Sequence, residues 1–270
     1  MKKTTKRLLI AALFFGVVGI SFGIVSLFSG FRATDFRTVM ENGSFQSAGS
    51  NLIRHTEMFA SDLTGETSDF EEKYTGIDSL RLNVGVAECV FCQSPDDSWH
   101  VAGNKLPSGF TCKQRGGTLQ IECKKGFWSF FGVNRGAELV IGVPGEQYLK
   151  EARIEVGVGS LEASEAVLLC DRLDVDCGVG ECTLLADVRK SADISGGVGS
   201  VTLTLVGREY DFNYDLECGI GEISIGANDY SGFGKESKID NGADRDVDVE
   251  CGIGSVEILF QEKSEKEGGV

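Results

Sequence analysis

The sequence predicts an all-β protein, a parallel β-solenoid or β-helix with coils of about 20 residues, preceded by one N-terminal transmembrane helix. Three observations carry this. A nine-residue phrase built on Gly-Val-Gly or Gly-Ile-Gly recurs five times between Arg153 and Val256. Apolar and polar residues alternate on both sides of each copy, as strands with one buried face require. A 21-residue run without a charge, Leu8–Phe28, follows a basic start.

The copies read Arg-Ile-Glu-Val-Gly-Val-Gly-Ser-Leu at 153–161, Asp-Val-Asp-Cys-Gly-Val-Gly-Glu-Cys at 174–182 and Asp-Ile-Ser-Gly-Gly-Val-Gly-Ser-Val at 193–201. Two more stand at 215–223 and 248–256, and a weaker one at 81–89. The glycine pairs are Gly157 and Gly159, Gly178 and Gly180, Gly197 and Gly199, Gly219 and Gly221, and Gly252 and Gly254, with Gly85 alone in the weak copy. Successive first glycines from Gly157 lie 21, 19 and 22 residues apart. A period near twenty marks a solenoid, whose repeats each bury a face only against their neighbours.

From the amino terminus, Lys2, Lys3, Lys6 and Arg7 precede Leu8–Phe28 and no acid does. As a helix that run spans about 31 Å, enough for a hydrocarbon core. The basic start holds residues 1–7 in the cytoplasm and sends the rest across, a single-pass arrangement in the cell membrane. A cleaved signal peptide is the competing reading, but the run ends Ser-Leu-Phe-Ser-Gly, without a small-x-small cleavage site. Residues 29–76 are rich in Ser, Thr, Gly and acids and read as stalk and cap.

The solenoid itself is expected over 77–260. It opens with strands near Leu80–Val86, Trp99–Ala102, Phe110–Lys113, Thr118–Cys123 and Ala137–Val143, the last closed by Pro144-Gly145. Phe127-Trp-Ser-Phe-Phe reads as an aromatic plug for a coil. Within each phrase the residues before the glycine alternate inward and outward, and the phase slips after the second glycine. Counted so, Val175, Cys177 and Val179 face inward. The same count buries Val198, Ile220 and Ile253. Residues 227–245 form an insertion with Asn241-Gly242 as its turn, and insertions in solenoids emerge on one, often functional, side. Residues 261–270 are a charged tail.

The chain carries a formal charge of −15, and past Arg7 it has 22 bases against 41 acids. That balance excludes nucleic acid as a partner, because phosphate binding needs a basic stripe. Two histidines, His55 and His100, leave little for histidine chemistry. Nine cysteines outside a membrane suggest disulfides. However, Cys177, Cys218 and Cys251 share one inward column and Cys89 and Cys182 another, and thiols stacked in a parallel ladder sit too far apart to bond. These five read as buried thiols, while Cys112, Cys123 and Cys170 are left open. Cys89-Val-Phe-Cys92 lacks a second CxxC for zinc and a helix start for redox work.

Outward, Asp174, Asp193, Asp215 and Asp248 stand four residues before the first glycines. Asp176, Ser195, Glu217 and Glu250 stand two before. Stacking turns these into carboxylate rows that a hard cation such as calcium could bridge, though a solvated face is the simpler reading. The calcium-binding Gly-Gly-x-Gly-x-Asp repeat is absent. No other metal, no cofactor and no catalytic residue is expected.

The Gly-Val-Gly phrases, Leu119-Gln-Ile-Glu, and Leu139-Val-Ile-Gly-Val-Pro-Gly followed by Ala152-Arg-Ile-Glu-Val-Gly-Val-Gly resemble the bacterial "putative-adhesin" family of β-strand-repeat proteins. The resemblance covers about 77–260. It implies an extracytoplasmic β-solenoid, usually with an amino-terminal anchor, and carries no catalytic residue to this chain. The function expected is adhesion or interaction with the cell envelope, through an envelope protein or polymer. The alternative is the ectodomain of an envelope stress-signalling system working through a membrane partner.

Overall fold

The computed structural model describes residues 70–85, 87–107, 109–123, 137–230 and 234–262. The expected anchor at 8–28, the stalk before 70, the aromatic plug at 127–131 and the tail after 262 lie outside them. Among the described residues no helix is long and apolar enough to cross a membrane.

The described residues are all-β, with one single-turn 3-10 helix among them at Glu209–Asp211. Seven strands of five or six residues come first: β1 Phe70–Tyr74, β2 Ser79–Val84, β3 Glu88–Gln93, β4 Trp99–Asn104, β5 Phe110–Arg115, β6 Thr118–Cys123 and β7 Glu138–Val143. Then follow β8 Leu149–Val206, β9 Asn213–Ile225, β10 Asn228–Asp229, β11 Lys235–Ile239 and β12 Asp246–Gln261. Strand β1 lies inside the stretch expected as stalk and cap, so the sheet begins seven residues before Ile77.

β8 is 58 residues long, and a straight strand of that length would run roughly 190 Å. It bends instead, and its buried residues record where. The buried parity changes between Val156 and Leu161, Ala163 and Ala166, Cys170 and Leu173, and again between Cys177 and Cys182. Each change turns the chain while keeping its apolar side inward. The turns bring successive phrases of β8 over one another: a Cβ on Gly178 would sit 2.7 Å from the carbonyl oxygen of Gly157.

Parallel pairing extends this stack in strict register. β2 joins β8 with Arg81 opposite Arg153 and Val84 opposite Val156, and β6 lies on the other side of β2. β12 joins β8 with Asp248 opposite Asp193 and Val256 opposite Val201. Its other edge joins β9, with Asp248 opposite Asp215 and Cys251 opposite Cys218. The spatial order of the first glycines is therefore Gly85, Gly157, Gly178, Gly197, Gly252, Gly219. The last copy in the sequence lies between the two that precede it.

This order gives the 227–245 insertion its local role. β10 and β11 run antiparallel along the outer edge of β9, and residues 240–245 lead the chain back so that β12 enters the slot between β8 and β9. Arg245 braces the return. Its guanidinium stacks 4.0 Å from the Phe212 ring centroid and donates to the carbonyls of Asp211 and Val188. Asn213 closes the corner by donating to the Ala243 carbonyl and accepting from the Asn241 and Ala243 amides.

The parallel edges at the other end are covered the same way. β5 pairs antiparallel with β6, while β4 pairs antiparallel with β7 and β1 with β4. Antiparallel edge strands keep the parallel ladder from offering unpaired backbone groups to another chain.

Candidate functional site

The interior is a set of apolar columns, one residue per rung. One reads Cys123, Val84, Val156, Cys177, Gly196, Cys251, Cys218, and another Leu139, Cys89, Leu161, Cys182, Val201, Val256, Ile223. Cys89 and Cys182 do share a column, with Leu161 between them. Gly196 stands where its neighbours carry thiols, and a Cβ there would meet the Val256 methyl at 3.2 Å.

All nine cysteines are free, and all but the half-buried Cys112 are buried. Burial raises the thiol pKa to about 11 for Cys92, Cys112, Cys177 and Cys251 and about 12 for Cys170, and pushes those of Cys89 and Cys182 up as well. At these seven positions the thiolates that would attack a disulfide or bind a metal are thus suppressed at neutral pH. Cys89 and Cys92 lie three apart on β3, an odd step that sends them to opposite faces.

The outer face before the glycine corner carries the rows expected from the sequence. Asp174, Asp193, Asp248 and Asp215 follow one another, and beside them Asp176, Ser195, Glu250 and Glu217. Bases close the first row at both ends. Arg153 reaches Asp174 at 3.5 Å and Glu155 at 3.3 Å, and Lys238 reaches Asp215 at 3.7 Å. Asn83 donates to Glu155 at 2.5 Å.

Between those ends like charges face each other one strand apart, about 4.8 Å. Burial, then Asp193 by its charge and a shared hydrogen bond, pushes the Asp248 carboxyl above its ordinary range. Asp176 is pushed the same way by burial and by Glu155 and Asp174. Asp174 is raised by burial against the pull of Arg153. Among the described residues no group of three or more His, Cys, Asp or Glu side chains is gathered so as to hold a metal ion.

At the corner the structure departs from simple alternation. Val179, Val198, Ile220 and Ile253, which the period-2 count places inside, face outward together with Val158. Val158 is 43% exposed, Ile253 40% and Ile220 58%, while Val179 and Val198 are half-buried. The phase changes at the first glycine rather than after the second. The second glycine then turns the chain at positive φ, 143° at Gly180, 133° at Gly199 and 146° at Gly254, a region that side chains with a Cβ rarely enter. A Cβ at these three positions would also strike the carbonyl oxygen of the next rung's second glycine. The same backbone approach that closes the ladder requires glycine twice per phrase.

Elsewhere Tyr148 donates to the buried Asp187 at 2.6 Å, with the Arg189 guanidinium 3.3 Å over the Tyr148 ring. It ties the residue that leads into β8 to a point 39 residues on.

No family model matches the chain, and no curated protein does. Among solved structures, a putative cell adhesion protein from Clostridium sporogenes is 18% identical, covering 71% of this chain and 99% of its own, with a TM-score of 0.48. Putative adhesins from Bacteroides fragilis and Parabacteroides distasonis are 14% and 13% identical, each covering 70% of this chain and 96% of its own, with TM-scores of 0.32 and 0.21.

Proposed function

We propose that the chain is a non-catalytic binding module, a β-solenoid held at the cell membrane by residues 8–28 and displayed outside the cell, where it meets an adhesive or envelope ligand. One observation carries this reading. Four rungs of the outer face repeat one chemistry in register: an aspartate at 174, 193, 248 and 215, a second acid two residues on at every rung but that of Ser195, then a glycine and an aliphatic. An enzyme gathers unlike groups at one place. A repeated row instead offers many equal weak contacts to an extended or multivalent ligand.

Two measurements on bacteria making the full chain test the proposal. A membrane-impermeant amine reagent should label the lysines of 70–262 in intact cells, and those cells should settle on wall polymer or a foreign surface more than cells lacking the chain. Labelling only after lysis contradicts the display. Unchanged settling on every surface contradicts the adhesive role.

A further inference from the structure

The aliphatic line at the corner is a surface feature the fold does not use. Val158, Val179, Val198, Ile253 and Ile220 occupy five successive rungs, a line about 19 Å long. Ile253 lies opposite Val198 on one side and Ile220 on the other. Isolated exposed aliphatics are ordinary, but here the exposed Val158, Ile253 and Ile220 are joined by the half-buried Val179 and Val198 into one apolar file, and contiguous apolar surface favours contact. Glycines flank every member, so the file stands above two strips of bare backbone.

Its borders state what can approach. Glu155, Asp176, Glu250 and Glu217 run along one side, at most about 11 Å away along the chain. Glu181 and Glu222 stand two residues beyond the line on the other side, and both are exposed. An anionic lipid surface or a nucleic acid would bring phosphates against these acids. A second copy of the chain would bring the same acids. A partner with cations on both sides of an apolar centre would satisfy all of them.

We propose that the file from Val158 to Ile220 is a docking line for a cationic amphipathic segment of a partner polypeptide, its apolar stripe on the aliphatics and its Lys or Arg side chains over the flanking carboxylates. A helix of about 13 residues spans 19 Å, and its 5.4 Å pitch is close to the rung spacing. Long basic side chains lay their stems on apolar surface while their heads reach charge. The proposal deepens the binding-module reading by naming a partner class, and it concerns the surface alone, so loss of labelling in intact cells leaves it standing.

The test uses the full-length chain in zwitterionic nanodiscs, with empty nanodiscs as the blank. The probe is an 18-residue Leu/Lys amphipathic helix, and a Leu/Glu helix of the same pattern is the control. The Lys helix should bind and the Glu helix should not. The triple variant V158S/I253S/I220S should weaken binding on the order of 10- to 100-fold at an unchanged melting temperature. A second variant, V158K/I253K, should abolish it by repulsion.

Equal binding of the Lys helix to parent and triple variant would overturn the docking line, because charge alone would then account for it. Binding of the Glu helix, or no binding of either helix, would overturn it too. Self-association of the parent that V158K/I253K removes would give the line to a second copy instead.

Discussion

Two columns only two residues apart in every phrase have opposite fates. Cys177, Cys251 and Cys218 lie inside, each no more than 5% exposed, whereas Val179, Ile253 and Ile220 lie outside although they are the more hydrophobic. Hydrophobicity does not separate them. The glycine between them does, because a chain without a Cβ on either side of the aliphatic can turn there and restart its alternation one residue out of step. Burial on this face is set by backbone geometry first and by side-chain preference second.

The second glycine of each phrase tolerates change least. Gly180→Ala or Gly199→Ala combines a disfavoured φ with a clash against a carbonyl of the next rung, and should lower stability by about 3 kcal/mol or more in denaturant melts. Gly116→Ala is the contrast, since a Cβ there meets nothing within 4 Å and only its φ of 52° opposes the change. It should cost about 1–2 kcal/mol.

Next come the two columns themselves. Cys177→Ser places a hydroxyl in a dry interior and should cost about 1–3 kcal/mol. Ile220→Ser, two positions past Cys218 on the outside, should change stability by no more than about 0.5 kcal/mol. Similar losses at both sites would show that the outer column is packed.

A smaller effect distinguishes the acid rows from the ion pairs around them. Asp174, Asp176 and Asp248 have raised pKa values, so the folded chain takes up protons more readily than the unfolded one. Their ionisation lowers stability as pH rises through those values, and the penalty vanishes below the ordinary value of 3.8. Asp78, Asp171 and Asp211, lowered chiefly by Lys150, Lys190 and the Arg208 backbone amide, act in the opposite direction. They stabilise above the ordinary value and lose that contribution on acidification. Asp248→Asn should therefore raise stability at pH 7 by about 0.2–1 kcal/mol and by nothing at pH 3, whereas Asp211→Asn should lower it at pH 7.

Much of this was legible in the sequence. The phrase fixes which residues share a rung, so the carboxylate rows and the cysteine columns follow from counting back from each glycine. Four things do not. The order in which Gly197, Gly252 and Gly219 stack is hidden because every copy has the same register and can pair with any other. The antiparallel strands β10 and β11 are short and polar, and only their position along β9 shows that they cover its edge. The outward turn of Ile220 and Ile253 is hidden because an aliphatic in an alternating run looks like core, and no local signal says at which glycine the phase changes. The strand β1, Phe-Glu-Glu-Lys-Tyr, has a single fully buried residue, Tyr74, and so carries no alternation strong enough to find.

The glycine corner turns the residue after it outward. Replacing Ile220 with cysteine and timing the reaction of a maleimide with the folded chain tests it directly. The native thiols are buried or half-buried, so the one added thiol should react many times faster than Cys218 and the other buried cysteines, with the melting temperature unchanged. A cysteine at 220 that reacts no faster than Cys218 would contradict it, and would return the aliphatic line to the core.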